Sequence, residues 1–272
     1  LVGVIIEKGP DSRFEIGARC VILPNTFCGN CDRCKKGLTN ICRHKQSLGI
    51  NVDGGFVQEL VISSKYILEI PDELSFEKAV LIEPLAVVVH AFSKVNIKQD
   101  TEVAITGCGN EGLLAAALAQ YLGAKVTAID INPAKFELVK RLGKIRACLP
   151  EEVIGRKTFH IVIEAAGTKY SAENAIQLTE SRGDIVLIGL VNEASLPIVQ
   201  MVRNELTMKG SIIYQFPNDY QRAIDYLLDP NFPSESVISN IYPITDYQIA
   251  YEMAALGNSG KILLNFQEEK YE

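Results

Sequence analysis

Three features are missing from this sequence, and each absence excludes a class of protein. No run of the roughly 20 apolar residues needed to cross a bilayer is present. No charged and then apolar leader marks the chain for secretion. Basic residues are not in excess, and the formal net charge is −6. Nucleic-acid-binding modules usually carry clustered positive charge. We therefore expect a cytoplasmic protein that binds neither membranes nor nucleic acid.

Histidine is scarce, and cysteine is scarce outside one loop. None of the three histidines is followed by glutamate. Of the seven cysteines, four lie between residues 27 and 42, and the other three lie apart in sequence. An odd number of cysteines in an acidic chain without a secretion signal argues against a disulfide framework. The dispersed cysteines, which we expect to be small buried side chains, are Cys20, Cys108 and Cys148.

The clustered cysteines follow the spacing C-x2-C-x2-C-x7-C. Such close spacing lets one loop place four thiolates tetrahedrally around a single zinc ion, and four sulfur ligands leave no open coordination position. The loop 28–42 is therefore expected to hold a structural zinc, with the ligands Cys28, Cys31, Cys34 and Cys42. Two alternatives stay open: four cysteines without a metal, either all reduced or with a transient disulfide, and a nucleic-acid-binding zinc ribbon.

A glycine motif follows in the segment "DTEVAITGCGNEGLLAAALAQYLGAKVTAID". An apolar run predicts a buried strand, Gly107, Gly109 and Gly112 form G-x-G-x-x-G at the turn, and an Ala/Leu-rich helix comes next. A second strand ends at Asp130, which completes the βαβ context of a dinucleotide-binding fold. The helix N-terminus offers amides to the phosphates. Asp130 is expected to accept hydrogen bonds from the adenosine ribose and to favour NAD over NADP.

Other residues near this motif are candidates for contacts with NAD. Asn110 lies inside the motif. Lys135, five residues after Asp130, is expected either to reach the adenosine ribose or pyrophosphate or to lie solvated on a helix surface. Glu111 departs from the usual pattern, because a negative side chain at the mouth of a pyrophosphate site is unfavourable unless it turns to solvent.

Later segments continue the alternation of strands and helices. The stretches "FHIVIEAAG", "GDIVLIGL" and "ELTMKGSIIY" each predict a buried strand, with helical patterns such as "SAENAIQLTE" between them. In a doubly wound parallel sheet, ligands bind outside the carboxyl ends of the strands. Residues at two of these strand ends are therefore expected to line the nicotinamide; they are Ala165, Ala166, Gly167, Gly189 and Leu190.

The pattern as a whole predicts an α/β protein in three sequence segments. Residues 1–86 are expected to be β-rich, through stretches such as "GFVQELVISSKYILEIP", and they carry the cysteine loop. Residues 87–214 are expected to form a Rossmann domain with a doubly wound parallel sheet. Residues 215–272 depart from the strand-helix rhythm and are expected to return to the first domain.

Several motifs together carry a resemblance to a known family. The cysteine loop, "DGGFVQELVI", "IEPLAVVVHA", "GCGNEG", Asp130 and the closing "GKILLNF" resemble the zinc-dependent medium-chain alcohol dehydrogenases, within them the branch of sorbitol, butanediol and threonine dehydrogenases. The resemblance implies a catalytic domain with a chaperonin-10-like β core, split around the Rossmann domain. It also implies a homodimer or homotetramer that acts on a small alcohol or polyol. By the same resemblance the four clustered cysteines are structural zinc ligands.

Glu83 in "IEPLA" matches the glutamate that coordinates the catalytic zinc or its water in that branch. A glutamate before proline can instead favour a helix start through the helix dipole. Apolar neighbours on both sides predict burial, and a buried carboxylate calls for a metal or a basic partner. The resemblance implies that zinc binds the substrate hydroxyl as a Lewis acid and assists hydride transfer to NAD.

The family's other catalytic zinc ligands are a cysteine and a histidine followed by glutamate, and the resemblance places both upstream of Leu1. We therefore expect a chain that lacks its N-terminal segment, binds NAD and one structural zinc, and turns over poorly. The alternative is a non-catalytic, zinc-braced NAD-binding scaffold. A zinc-free quinone reductase of the same superfamily is a weaker third interpretation.

The substrate is constrained by the residue before Tyr214. Polyol-oxidising relatives carry an arginine at this position, whereas this chain has Ile213. The difference argues against sorbitol as the substrate and leaves open a smaller alcohol, a diol or a modified sugar.

Overall fold

The computed structural model describes residues 1–266, which divide into two units. The first unit contains Leu1–Ala86, Ile213–Asp229 and Phe266, and the second contains Val87–Ile212 and Pro230–Asn265. Residues 230–265 thus group with the second unit, whereas residues 215–272 were expected in the first domain; residues 267–272 lie outside the described part of the chain. The domain limits at residues 86 and 214 stay a prediction.

Strands and helices alternate through most of the chain. The strands are β1 Val2–Val4, β2 Arg19–Ile22, β3 Ile67–Glu69, β4 Glu102–Thr106, β5 Lys125–Ile129, β6 Arg146–Cys148, β7 Phe159–Glu164, β8 Thr179–Leu187, β9 Thr207–Gly210, β10 Ile238–Pro243 and β11 Lys261–Asn265. The α-helices are α1 Phe76–Ala79, α2 Ile82–Phe92, α3 Asn110–Tyr121, α4 Phe136–Arg141, α5 Lys169–Leu178, α6 Ile198–Arg203, α7 Asn218–Leu228 and α8 Tyr247–Ala255. Among the described residues, every helix is too short or too polar to cross a bilayer.

The second unit contains a six-stranded sheet in the order β6-β5-β4-β7-β8-β9. All five pairings in this sheet are parallel. The chain starts in the middle of the sheet, at β4, and winds outward first to one edge and then to the other. This order is that of the doubly wound dinucleotide-binding fold. The predicted α/β class with a Rossmann sheet is confirmed.

Parallel pairing places the carboxyl ends of these strands at one edge of the sheet. The middle strands β4 and β7 are almost wholly buried, as their mainly apolar sequences predict. Helix α3 packs on β4 and β5, and Gly112 through Ala119 are all buried. Because the strand ends lie side by side, residues that are distant in sequence come together just beyond Thr106, Ile129 and Glu164.

The first unit contains a three-stranded antiparallel sheet, β1-β2-β3. The cysteine loop lies within the connection between β2 and β3. The β-rich stretch predicted to begin at Gly55 forms a strand only at Ile67–Glu69. Residues 55–63 have no pairing strand within the described part of the chain, and Phe56 and Val61 are exposed. A β-compatible sequence becomes a strand only when a neighbour takes its backbone hydrogen bonds.

Candidate functional site

The four clustered cysteines meet at one point of the first unit. Their sulfur atoms all lie within 4.8 Å of one another. The Sγ atoms of Cys28 and Cys34 are 4.0 Å apart, those of Cys31 and Cys42 are 4.0 Å apart, and those of Cys28 and Cys42 are 3.6 Å apart. Two sulfurs bound to one tetrahedral zinc through bonds of about 2.3 Å lie roughly 3.8 Å apart. The cluster therefore has the size of a four-sulfur zinc site.

The loop is folded by its own short-range hydrogen bonds. Backbone N–H groups of Cys28 and His44 each donate to Sγ of Cys42 at 3.3 Å. The guanidinium of Arg33 donates to the carbonyl oxygen of Ile41 at 2.8 Å, which ties the two short 3₁₀ turns together. Gly37 ends the first of these turns with φ +78°, a conformation that favours glycine. These contacts aim all four sulfurs inward.

The thiols of the cluster have shifted pKa values. Backbone N–H groups of Cys34 and Arg43 lower the pKa of the Cys31 thiol to about 6. Desolvation, followed by contacts with neighbouring sulfurs, raises the pKa of Cys34 to about 12. Four thiolates this close repel one another, so full ionisation needs a compensating cation. The donor set, the distances and the amide hydrogen bonds all fit a resident zinc ion.

The glycine turn lies between β4 and α3 in the second unit. Gly107 has φ +88°, and a Cβ atom there would lie 2.7 Å from Ala166. A Cβ atom on Gly112 would lie 1.8 Å from the carbonyl oxygen of Gly107, so helix and turn pack too closely for any side chain. Gly109 differs, because nothing lies within 4 Å of a Cβ atom built there. The turn therefore leaves open space in front of the N-terminus of α3.

Asp130 is positioned by the backbone around it. Its Oδ2 accepts from the amide of Cys108 at 2.7 Å, and its Oδ1 accepts from the amide of Asn132 at 2.9 Å. The Nζ of Lys135 lies 3.8 Å from Oδ2. Only 9% of the Asp130 side chain and 17% of the Lys135 side chain are exposed. The structure thus brings both predicted residues to the glycine turn, and their roles in binding stay predictions.

A pocket of about 270 Å³ opens in front of this turn, within the second unit. Gly109 and Asn110 form one side of it, and Lys135 forms another. The remaining wall comes from the end of the chain and contains Ala254, Gly257, Ser259, Gly260, Lys261 and Ile262. Glu111 is half-buried in the first turn of α3 and is not among the lining residues. Sequence reasoning missed Lys261, because no local signal relates it to a turn so far away along the chain.

Glu164 is a second residue that sequence reasoning missed. It ends β7, and its side chain is fully buried. Its Oε1 accepts from the amides of Ala166 at 3.0 Å and Gly167 at 2.9 Å and from the hydroxyl of Ser171 at 2.6 Å. Its backbone carbonyl oxygen accepts from Gly189 at 3.0 Å. An acidic residue at the end of a mainly apolar strand is the sequence signal that could have indicated this role of Glu164.

Through Glu164 the structure brings together the residues predicted to line the nicotinamide. A Cβ atom on Gly189 would lie 2.3 Å from the amide nitrogen of Gly167. Gly167 itself has φ +65°. Leu190, in contrast, is 80% exposed. The two loops after β7 and β8 therefore lie against each other, and contacts with a nicotinamide stay a prediction.

Glu83 lies in the first turn of α2 and is half-buried among fully buried neighbours such as Ile82 and Leu85. Glu83 also interacts with Tyr214. Burial of the Tyr214 phenol raises its pKa, and the negative charge of Glu83 raises that pKa further. Tyr214 is only 2% exposed and accepts a hydrogen bond from Nδ2 of Asn25 at 3.1 Å. The structure thus places Tyr214 beside the carboxylate that the sequence singled out.

The residues around Glu83 do not make a complete metal site. Within residues 1–266, the four cysteines form the only group of three or more histidine, cysteine or acidic side chains close enough to share an ion. Glu83 belongs to no such group within the described residues, and no chemical step follows through a second metal.

Comparison with known proteins identifies two family models in the chain. The model described as "Alcohol dehydrogenase GroES-like domain" matches residues 1–72, and the model described as "Zinc-binding dehydrogenase" matches residues 112–229. The first match covers the cysteine loop, and it confirms the expectation of a chaperonin-10-like domain. The second match begins at Gly112 and runs through the Rossmann sheet into α7.

Individual relatives agree with these models. Sorbitol dehydrogenase of Bacillus subtilis is 29% identical, over 89% of this chain and 72% of its own length. L-threonine 3-dehydrogenase of Alteromonas mediterranea is 28% identical, over 98% of this chain and 81% of its own length. A crystal structure from Sinorhizobium meliloti 1021, described as a zinc-binding dehydrogenase bound to NADP, is 28% identical. It superimposes with a TM-score of 0.89, over 97% of this chain and 81% of that one. The chain belongs to the zinc-dependent medium-chain alcohol dehydrogenase family.

Proposed function

We propose that this chain is a nicotinamide-dependent dehydrogenase that moves a hydride between a secondary alcohol and a dinucleotide coenzyme. The observation that carries the proposal is the open glycine turn at the end of β4, in front of the N-terminus of a twelve-residue helix. Backbone amides at such a terminus bind the pyrophosphate of a dinucleotide. The printed names of the relatives, sorbitol dehydrogenase and L-threonine 3-dehydrogenase, support oxidation of small alcohols. They do not favour the alternative of a non-catalytic scaffold.

Each part of the second unit has a distinct task in this proposal. Gly109 leaves room for the pyrophosphate, and Asp130 and Lys135 lie where the adenosine ribose would bind. Glu164 holds the loops that carry Gly167 and Gly189 in one arrangement, which presents a fixed surface to the nicotinamide. Such preorganisation lowers the cost of aligning the coenzyme for hydride transfer.

Zinc has a structural task in the first unit. The ion fits the four cysteines, which leave it no open coordination position, so it braces the loop and does not touch substrate. Polarisation of the alcohol by a second zinc ion near Glu83 stays a prediction. Ile213 offers no hydrogen bond to a substrate hydroxyl; we therefore propose a small alcohol or diol.

A homodimer or homotetramer and a cytoplasmic location also stay predictions. The family resemblance suggests the oligomer, and the composition suggests the cytoplasmic location. Sedimentation of the purified chain measures the oligomeric state directly.

The proposal is tested by coenzyme binding and then by oxidation of an alcohol panel containing sorbitol, 2,3-butanediol and L-threonine. Gly109→Val is the informative variant, because its side chain enters open space at φ −75° and should leave the fold intact. We expect the wild-type chain to bind NADH and the variant to lose binding at an unchanged melting temperature. Equal NADH binding by both chains, or none by a folded wild-type chain, contradicts the proposal.

A further inference from the structure

Glu164 lies where the winding of the large sheet changes direction. The strand order β6-β5-β4-β7-β8-β9 puts this change between β4 and β7, and Glu164 ends β7 in register with Thr106, the last residue of β4. A dinucleotide binds across the crevice at such a point, with its two halves on the two sides. The glycine turn lies on the β4 side, so the nicotinamide half falls beside the ends of β7 and β8.

The carboxylate of Glu164 is held by dipoles and not by a cation. Its side chain is fully buried. Oε1 accepts hydrogen bonds from two backbone amides and from the hydroxyl of Ser171, and none of these partners is a cation. Oε2 is also buried and has no hydrogen-bond partner within residues 1–266. An ionised carboxylate only accepts hydrogen bonds, so these donors suit the charged form. Amide and hydroxyl dipoles stabilise a negative charge without cancelling it.

The unpartnered oxygen Oε2 lies directly against the loop after β8. A Cβ atom on Gly189 would lie 2.5 Å from this oxygen. The amides of Ile188 and Gly189 donate to the backbone carbonyl oxygen of Glu164 at 2.8 and 3.0 Å, which fixes the loop against β7. Gly189 is only half-buried. The thickness of one backbone therefore separates the buried carboxylate from the accessible side of this loop.

A buried negative charge at this place distinguishes the two redox forms of the coenzyme. The nicotinamide ring of NAD⁺ carries a positive charge, whereas the ring of NADH is neutral. Opposite unit charges about 7 Å apart, in a medium with an effective dielectric constant of about 20, attract strongly enough to change an affinity by more than tenfold. Salt screens a buried charge much less than an exposed one. The attraction should therefore act on NAD⁺ alone and persist at physiological salt.

We propose that Glu164 biases the coenzyme site toward the oxidised form, so that its charge strengthens binding of NAD⁺ relative to NADH. This inference rests on the proposed function, because it assigns a residue to the reaction of the same site. Glu164 lies behind the loops and is a positioning residue, not a catalytic one. In the bound complex it favours the direction of hydride transfer that leaves the ring oxidised. In that direction the carbonyl carbon of the substrate takes the hydride and its oxygen takes a proton from water.

The experiment compares the dissociation constants of NAD⁺ and NADH in the wild-type chain and two variants. The chain has no tryptophan, so the fluorescence of bound NADH reports its binding, and displacement of NADH reports binding of NAD⁺. Glu164→Gln removes the charge and keeps one oxygen for the amides; we expect it to weaken NAD⁺ about tenfold relative to NADH. Glu164→Asp keeps the charge but shortens the side chain. It should lower the melting temperature and leave the ratio of the two constants within about threefold of wild type.

Glu102→Gln is the matched control, because Glu102 begins β4 at the opposite edge of the same sheet, where it forms an ion pair with Lys157. It should leave the ratio unchanged. An unchanged ratio in a folded Glu164→Gln overturns the proposal, and so does an equal shift in Glu164→Asp, since the ratio would then follow stability and not charge. Failure of a folded wild-type chain to bind either coenzyme contradicts the proposed function itself, and this inference with it.

A second variant tests the same field without altering the buried carboxylate. Leu190 is 80% exposed and follows Gly189, so Leu190→Lys adds a cation to the accessible side of the loop without disturbing the core. It should weaken NAD⁺ relative to NADH by about two- to fivefold, because an exposed charge is partly screened. Leu190→Gln, which adds no charge, should leave the ratio unchanged. An equal ratio in Leu190→Lys and Leu190→Gln means that the nicotinamide does not lie at this loop, and it overturns the proposal.

Discussion

The backbone amide of Cys108 donates a hydrogen bond of 2.7 Å to the carboxylate of Asp130, which joins the glycine turn after β4 to the end of β5. The two residues are far apart in sequence and adjacent only because β4 and β5 pair in parallel, with Thr106 opposite Ile129. The residue predicted to bind the ribose therefore also holds the turn proposed to receive the pyrophosphate. We expect coenzyme binding and local stability to be coupled at this point.

Asp130→Asn should lower both stability and coenzyme discrimination. A carboxamide has one oxygen, so one of the amides of Cys108 and Asn132 would lose its acceptor, at a cost of about 1–3 kcal/mol in the free energy of unfolding. Loss of the negative charge should also shift relative affinity from NADH toward NADPH. Denaturant melts and coenzyme titrations measure the two effects. Asp53→Asn, at an exposed position, is the control and should change neither.

Cys31→Ser should abolish stoichiometric zinc binding. Native mass spectrometry of the wild-type chain should give one tightly held zinc from the cysteine cluster, because all four sulfurs lie within 4.8 Å of one another. The variant should lose that ion and become sensitive to proteolysis in the loop 28–42. Cys148→Ala, which alters a buried cysteine outside the cluster, should keep it. Retention of the full zinc content by Cys31→Ser would exclude a four-sulfur site.

Glu164→Ala should destabilise the second unit strongly. Removal of the carboxylate leaves the amides of Ala166 and Gly167 without their acceptor inside a buried site, and the hydroxyl of Ser171 keeps only its contacts with Thr168. We expect a loss of about 3–5 kcal/mol in the free energy of unfolding. Glu164→Gln keeps one carbonyl oxygen and should lose less. If the two variants lose the same free energy of unfolding, the oxygen atoms of the Glu164 side chain do not hold the two loops.

Cys108 should make stability fall at alkaline pH. Burial, followed by the charge of Asp130, raises the pKa of its thiol from 9.0 to about 12, so the folded state holds this proton more tightly than the unfolded state does. The resulting stabilisation is fully present below pH 9 and is lost as pH rises toward 12. Cys108→Ala should flatten the pH dependence of unfolding in this window. The native thiol should also resist alkylation at neutral pH, in contrast to the unfolded chain.

Local patterns predicted most of the second unit. Mainly apolar runs predicted the strands β4, β5 and β7, and the Ala/Leu-rich stretch predicted α3, because elements buried on both faces are built mostly from apolar residues. The same reasoning failed for residues 55–63, whose β-branched and aromatic residues form no strand. Such residues fit the pleated surface of a sheet, but only a neighbouring strand supplies the hydrogen bonds.

The sequence by itself determined the cysteine spacing and the glycine turn, since both are built from residues close together in the chain. Short-range geometry is enough there, because a few residues of backbone can place four sulfurs or open one helix terminus. Only the tertiary structure decided that Asp130 is held by Cys108, that Glu164 braces two loops, and that Lys261 lies beside the start of α3. These contacts join residues far apart in sequence, and the pairing of parallel strands and the packing of the segment 254–262 bring them together.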